Sequence, residues 1–212
     1  MPTRKILLLG ATGGTGQQVL SLALASGLEV TALVRDPARL PAVSGQVTVI
    51  QGDILQDSSR LGAAVQGKDA VVSALGVGKT FKPHGLIARA APAVVSAMQR
   101  HGVRRLVFTS AFGVGPTWAD TPIIPRIFML TLLRSIYADK EKGEASILSS
   151  SLDWTIVYPA GLTDGPPTGQ VRVAEHLDLK GFPHVSRADV ASVILRLLDD
   201  AGSFRKHLLI AD

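Results

Sequence analysis

The chain contains no cysteine, which excludes disulfides, thiolate metal sites and thiol catalysis. Aromatic residues make up only 5% of it, too few to interleave with basic residues as base-stacking platforms. A net charge of +5 and a pI of about 9.8 would suit a nucleic-acid partner, yet Lys and Arg are scattered. Only Arg100-His101 with Arg104-Arg105 forms a cluster, and it reads as a solvated rim that attracts anionic ligands. No apolar run approaches the roughly 20 residues that a membrane-spanning helix needs. The nearest candidate, Ile123 to Ile136, is broken by Pro125, Arg126 and Arg134. His84, His101, His176, His184 and His207 show neither His-x-His nor His-Glu-x-x-His spacing, so no metal site is expected. No Gly-x-Ser-x-Gly elbow marks a hydrolase. Neither nucleic acid nor membrane is an expected partner.

What remains is an ordinary globular composition. With 212 residues, 46% hydrophobic and 18% charged, the chain is long enough to bury a substantial core, and residues 1–212 read as a single domain. Met1 to Lys5 run straight into the first apolar segment, leaving no room for a signal peptide, so a cytoplasmic location is expected.

Strand-like segments at Lys5–Leu9, Glu29–Val34, Val47–Gln51, Ala70–Ala74, Arg105–Thr109 and Thr155–Tyr158 are continuously apolar rather than alternating. That pattern belongs to a parallel sheet covered on both faces. Helical patterns fall between them, at Gly14–Ser26, Ser59–Val65, Gly85–Arg100 and roughly Pro125–Ser149. Gly27, Gly67 and Gly102 stand where left-handed helix caps are wanted. Pro92 should kink its helix or shift the helix start downstream. Ser186-Arg-Ala-Asp189 opens a last helix in the manner of a capping box, and His207–Ile210 supplies a strand to close the sheet. The alternation predicts an α/β fold, a doubly wound parallel sheet with right-handed crossovers.

The most informative stretch is Gly10-Ala-Thr12-Gly13-Gly14-Thr15-Gly16, placed between the first strand and the first helix. A strand, a glycine turn and a helix N-terminus in that order make a pyrophosphate site, because unpaired N–H groups and the helix dipole face the anion. The glycines allow a tight turn, close approach of phosphate and close packing of helix on strand.

Past the second strand, Arg35 and Arg39 offer charged donors to a ribose 2′-phosphate, which favours NADP(H) over NAD(H). Asp36 complicates this, since a one-residue shift would put a carboxylate at the ribose instead. Asp53 and Ile54 follow the third strand, where a carboxylate can accept from the adenine amino group while an apolar side chain packs on the ring. Asp53 could instead cap the helix that begins near Asp57, but the spacing is long for a cap, which favours cofactor contact. Leu75 and Gly76 follow the fourth strand and would let backbone pass beside the nicotinamide-side ribose.

Gly10–Gly16, Val30–Asp36 and Gly52–Gln56 resemble the atypical short-chain dehydrogenase/reductase superfamily, in its NAD(P)H-binding, NmrA-like branch with a Rossmann fold. Gly67–Val71, Ala97–Val103, Thr109–Phe112 and Asp164–Gly169 are similar to the NADPH-dependent flavin reductase, or biliverdin-IXβ reductase, group. The resemblance implies hydride transfer from NADPH to a planar acceptor: a flavin, quinone or tetrapyrrole. It places Ser110 in a catalytic position, orienting the nicotinamide or the acceptor, and Pro159 beside the nicotinamide pocket. Ser110 could instead only satisfy backbone at a strand end.

Two departures qualify the likeness. The flavin reductase group has a histidine two residues after that proline, where this chain has Gly161. The superfamily's Tyr-x-x-x-Lys pair is also missing, because Tyr137 and Lys140 are three residues apart rather than four. Tyr137 therefore reads as an ordinary core or surface aromatic, and Lys140 with Glu144 as a surface ion pair. The expected function is an NADPH-dependent reductase of flavin or a similar acceptor. The alternatives are a non-catalytic NADP(H) sensor and, with less support, a nucleotide-sugar epimerase or dehydratase. The apolar segment from Pro122 to Leu133 is expected to line the acceptor pocket or a contact between subunits of a homo-oligomer.

Overall fold

Continuous apolarity in the central segments has a direct structural cause, since helices cover both faces of the sheet they form. The computed structural model describes residues 3–42, 46–76, 78, 84–122, 126 and 133–212. Strands β1 (Lys5–Leu9), β2 (Glu29–Val34), β3 (Val47–Gln51), β4 (Ala70–Ser73), β5 (Arg105–Thr109) and β6 (Asp153–Pro159) match the expected positions. Helices α1 (Gly14–Ala25), α2 (Ser58–Val65), α3 (Leu86–Arg100) and α5 (Arg187–Leu197) do likewise, within a few residues, whereas α4 (Arg134–Leu148) begins at Arg134 rather than near Pro125, with the non-helical Leu133 as its N-cap. The expected apolar segment 122–133 lies outside the described residues, apart from Pro122, Arg126 and Leu133.

The sheet has the order β3-β2-β1-β4-β5-β6-β10-β8, where β10 is Lys206–Ala211 and β8 is Arg172–Ala174. Strands β1 to β6 and β10 pair in parallel; β8 alone runs antiparallel, against β10. The fold is thus the expected doubly wound α/β sheet, with the strand order reversing direction between β1 and β4. One expectation needs correction. The strand at His207–Ile210 does not close the sheet, because β8 lies outside it. Strands β7 (Gly161–Thr163) and β9 (His184–Ser186) form a separate small parallel pair. Three-residue strands carry too short a pattern for periodicity to register.

Glycine caps are left-handed where expected, with φ of 76°, 69° and 71° at Gly27, Gly67 and Gly102. Ser186 caps α5, its Oγ accepting from the Asp189 N–H at 3.0 Å while donating to the Asp189 carboxylate at 2.7 Å. Helix α3 begins at Leu86, upstream of Pro92, so the proline does not move the helix start.

The basic cluster at residues 100–105 is also corrected. Arg105 is buried, not part of a solvated rim, and lies at the strand ends opposite the glycine turn. Its guanidinium donates to the carbonyls of Leu197, Leu198 and Asp153 and to Ser203 Oγ, and it stacks 4.7 Å from the Phe204 ring centre. Arg104 pairs with Asp153 on the surface.

Helix α4 is held against α3 by two features. Asp139 accepts the N–H groups of Ile87 and Ala88, at 3.0 and 3.1 Å, so a carboxylate from one helix caps the positive end of the other. Gly143 lets the backbones meet, since a Cβ there would stand 2.6 Å from the Ile87 carbonyl oxygen. Overpacking of this kind costs about 1–3 kcal/mol, against about 1 kcal/mol gained from alanine's better helix propensity. Gly143→Ala is therefore expected to lower stability by on the order of 1–2 kcal/mol. Urea unfolding measures it, and an unchanged midpoint would contradict the close contact.

Candidate functional site

The C-terminal ends of β1, β2, β4 and β5 open onto a cavity of about 450 Å³. Open α/β sheets bind ligands in this place, where the strand order reverses. Its floor is the glycine turn: Gly10, Thr12, Gly13, Gly14 and Thr15 all line it. Gly10 has a φ of +83°, and a Cβ there would lie 2.5 Å from the Ala74 carbonyl oxygen. Gly16 is buried beneath the turn, where any side chain would collide with the Gly10 carbonyl. Steric demand therefore fixes the first and last glycines. Gly13 is the N-cap of α1, with no side-chain cap and no acidic residue in the first turn. The helix end is left free for an anion.

Arg35, Arg39, Asp53, Ile54, Leu75, Gly76 and Ser110 line the same cavity. Asp36 is outside the lining, because its carboxylate turns back to accept the Ala38 N–H at 3.1 Å. The carboxylate of Asp53 accepts the Leu55 N–H at 2.8 Å through Oδ1, while its own N–H donates to Asp57 at 2.7 Å. Asp53 thus shapes the turn before α2 rather than capping the helix. Pro159 is the last residue of β6, buried, and its carbonyl accepts the Phe112 N–H at 3.1 Å; it does not line the cavity.

Three polar lining residues escaped the sequence reading. Arg187, the first residue of α5, reaches over the turn, where a Cβ on Gly14 would lie 2.8 Å from its Nε; it also pairs with Asp164 at 2.6 Å. Thr109 Oγ1 is buried and has no hydrogen-bond partner among the described residues, a polar atom waiting for a ligand. Lys140 is the third.

Lys140 and Glu144 do not form the surface ion pair expected of them. Both are buried, 8% and 2% exposed, because the α3 contact turns their face of α4 toward the sheet. Lys140 lines the cavity, and burial lowers its ammonium to about 8, against the opposing influence of Glu144 and Asp139. The Glu144 carboxylate accepts hydrogen bonds from Ser110 Oγ and, at 2.8 Å, from the Tyr158 hydroxyl. Burial raises Glu144 above the usual carboxylate range, although those two bonds and Lys140 pull it down. Helical spacing of Lys140, Gly143, Glu144 and Ile147 was the available signal, with the glycine marking the face that packs closely.

Tyr137 stays out of this site, donating its hydroxyl to the Phe112 carbonyl at 2.8 Å. Gly161 pairs with His184 in the β7–β9 ladder, and a Cβ there would lie 3.1 Å from the Pro183 carbonyl oxygen. A histidine at 161 has no comfortable place.

The NAD(P)H-binding family model matches residues 10–201. The chain belongs to this family. An uncharacterised chloroplastic protein of Arabidopsis thaliana is 30% identical over 99% of the chain and 77% of its own length. An NAD(P)H azoreductase of Xenophilus azovorans is 31% identical over 66% of the chain and 54% of its own length. Among solved structures, the anaerobilin reductase ChuY of Escherichia coli O157:H7 superposes with a TM-score of 0.78 at 25% identity, covering 97% of this chain and 96% of that one. These findings support an oxidoreductase that binds NAD(P)H. No helix among the described residues is long and apolar enough to cross a membrane.

Lys140 gives a stability prediction with a definite sign. Its pKa falls from 10.5 in the unfolded chain to about 8 on folding, so the unfolded state binds more protons between those values. Stability should rise with pH across that window, and the cost of burying the charge is fully present below it. Lys140→Met should therefore be more stable than wild type at pH 7, by on the order of 1–3 kcal/mol, with the difference shrinking toward pH 10. Urea titrations of both proteins at pH 7 and 10 measure this; a destabilised variant at pH 7 would contradict it.

Proposed function

We propose that the protein is an NADPH-dependent reductase that passes a hydride to a flavin or similar planar acceptor. The observation that carries this reading is the meeting, in one cavity, of an uncapped helix end, a basic rim and a serine backed by a buried carboxyl. The donor set suits the group. Gly10, Thr12, Gly13, Gly14 and Thr15 would hold the diphosphate, Gly16 keeps α1 against β1, and Arg187 adds a cation above the turn. Arg35 and Arg39 would grip the 2′-phosphate, a task to which Asp36 offers no competition. Asp53, through Oδ2, and Ile54 would take the adenine. Leu75 and Gly76 would border the nicotinamide-side ribose, and Lys140 and Thr109 would bond its hydroxyls.

When bound, the dinucleotide supplies the hydride. Ser110 orients the acceptor and presents a proton to it, and the apolar walls exclude water. No tyrosine stands one turn before Lys140, so carbonyl reduction through a tyrosine–lysine pair has no donor here. An anaerobilin reductase and an azoreductase among the similar proteins support reduction; epimerase-named proteins stand among them too, and what speaks against epimerisation is the missing tyrosine.

The test follows NADPH and NADH oxidation in parallel with FMN, riboflavin and a small quinone. Faster turnover with NADPH is expected. Arg35→Ala should raise the KM for NADPH roughly 10–100-fold, as loss of a charged hydrogen bond does, and leave that for NADH nearly unchanged. Lys140→Met should weaken both dinucleotides alike. Tight NADPH binding without turnover on any acceptor would replace this reading with a non-catalytic dinucleotide sensor.

A further inference from the structure

Behind Ser110 the polar contacts do not stop. Glu144 bonds Ser110 through Oε1 and the Tyr158 hydroxyl through Oε2, and that hydroxyl lies 3.0 Å from Nδ1 of His207. Ser110, Glu144 and Tyr158 are buried; His207, on β10, is only half-buried and lies against the Trp154 ring at 5.2 Å between ring centres. Register explains how the far end forms. His207 pairs with Ile156, and Leu209 with Tyr158, so Tyr158 and His207 rise from one face of neighbouring parallel strands. Gly115 covers the middle, with a φ of +53°, and a Cβ there would press on the carboxyl, 3.3 Å from Glu144 Oε2. A continuous hydrogen-bonded path thus runs from the dinucleotide cavity, behind the carboxyl ends of β5 and β6, to a titratable group that water can reach.

We propose that Glu144, Tyr158 and His207 are a proton relay that recharges Ser110 during reduction. The proposal rests on the reductase reading and deepens it by naming the source of the second hydrogen. A two-electron reduction takes one hydride from the reduced nicotinamide and one proton. Ser110 Oγ gives its proton to the acceptor and takes one from Oε1 of a neutral Glu144. Oε2 then receives the Tyr158 hydroxyl proton as that oxygen takes one from His207 Nδ1, and His207 recovers a proton from water at Nε2. The acceptor gains a hydride and a proton, the dinucleotide is oxidised, and solvent loses one proton. A half-turn of the carboxyl group and solvent exchange at the imidazole reset the chain.

Local electrostatics fit this direction of flow. Glu144 faces Lys140 and Glu141 from its own helix and Ser110 and Tyr158 from the sheet; burial outweighs the pull of the lysine and favours the neutral acid. Tyr158 is pushed well above its ordinary value by burial and by Glu144, so it passes a proton only by taking another in the same motion. His207 faces Tyr158, Trp154 and Glu175, and burial lowers it against the opposing charge of Glu175, which keeps the imidazole able to exchange rather than fixed as a cation.

Two measurements decide the matter. Difference infrared spectra of wild type and Glu144→Gln, without dinucleotide, should show a protonated-carboxyl band at pH 7 that the variant lacks. Steady-state oxidation of NADPH with FMN should show Tyr158→Phe losing roughly 10²-fold in kcat, with the KM for NADPH unchanged and the solvent deuterium effect altered. Added imidazole should restore much of the activity that His207→Ala loses. Absence of the carboxyl band, or a Tyr158→Phe protein that keeps its kcat while wild type turns over, would overturn the relay alone. A wild-type protein that binds NADPH but passes hydride to no acceptor would overturn the reductase reading, and the relay with it.

Discussion

One carboxylate decides how the second half of this fold is assembled. Asp139 reaches from α4 to the first amides of α3, and Gly143, four residues on, lets the two backbones touch. The pair of contacts sets both the rotation and the depth of α4. Once that helix is seated, Lys140 has nowhere to point but the cavity, and Glu144 nowhere but Ser110 and Tyr158. A charged side chain is costly to bury unless partners await it, and here the sheet supplies them. The chemistry of the site therefore depends on a helix–helix contact that contains none of the lining residues proposed to touch substrate.

The glycine turn and the sheet were legible from residues alone because their causes are local. A strand buried on both faces must be apolar throughout, and a positive φ at Gly10 tolerates little else. Lys140, Glu144 and Arg105 were misread for the opposite reason. On a sequence, a charged residue declares its cost of burial but not the acceptors that would offset it. Those acceptors lie far off in the chain: Ser110 is 34 residues from Glu144, and the Leu197 carbonyl 92 residues from Arg105. Asp36 shows the same limit at short range. Position alone left it open at the ribose, and only the folded chain shows its carboxylate bonded to its own turn.

The contrast between the two ends of the cavity also has a physical basis. At the glycine turn, proposed to hold the diphosphate, the protein presents backbone and fixed dipoles, which need little from side-chain identity beyond smallness. At the reacting end it presents titratable groups held by packing, and there one residue's shift matters. Tyr137, displaced from the usual spacing, spends its hydroxyl on the Phe112 carbonyl instead. Lys140 keeps its place without that partner, and the buried carboxyl behind Ser110 takes up the polar contacts that remain.

Arg105 carries a consequence in time rather than in space. Its guanidinium sits at the start of β5, yet the carbonyls of Leu197 and Leu198 and the hydroxyl of Ser203, which satisfy most of it, are synthesised more than 90 residues after it. A nascent chain that has made β1 to β5 holds a cation it cannot bury without loss. Burial of that cation waits for α5 and the turn after it to emerge from the ribosome, so a segment distant in the chain acts as the latch on the core around β5.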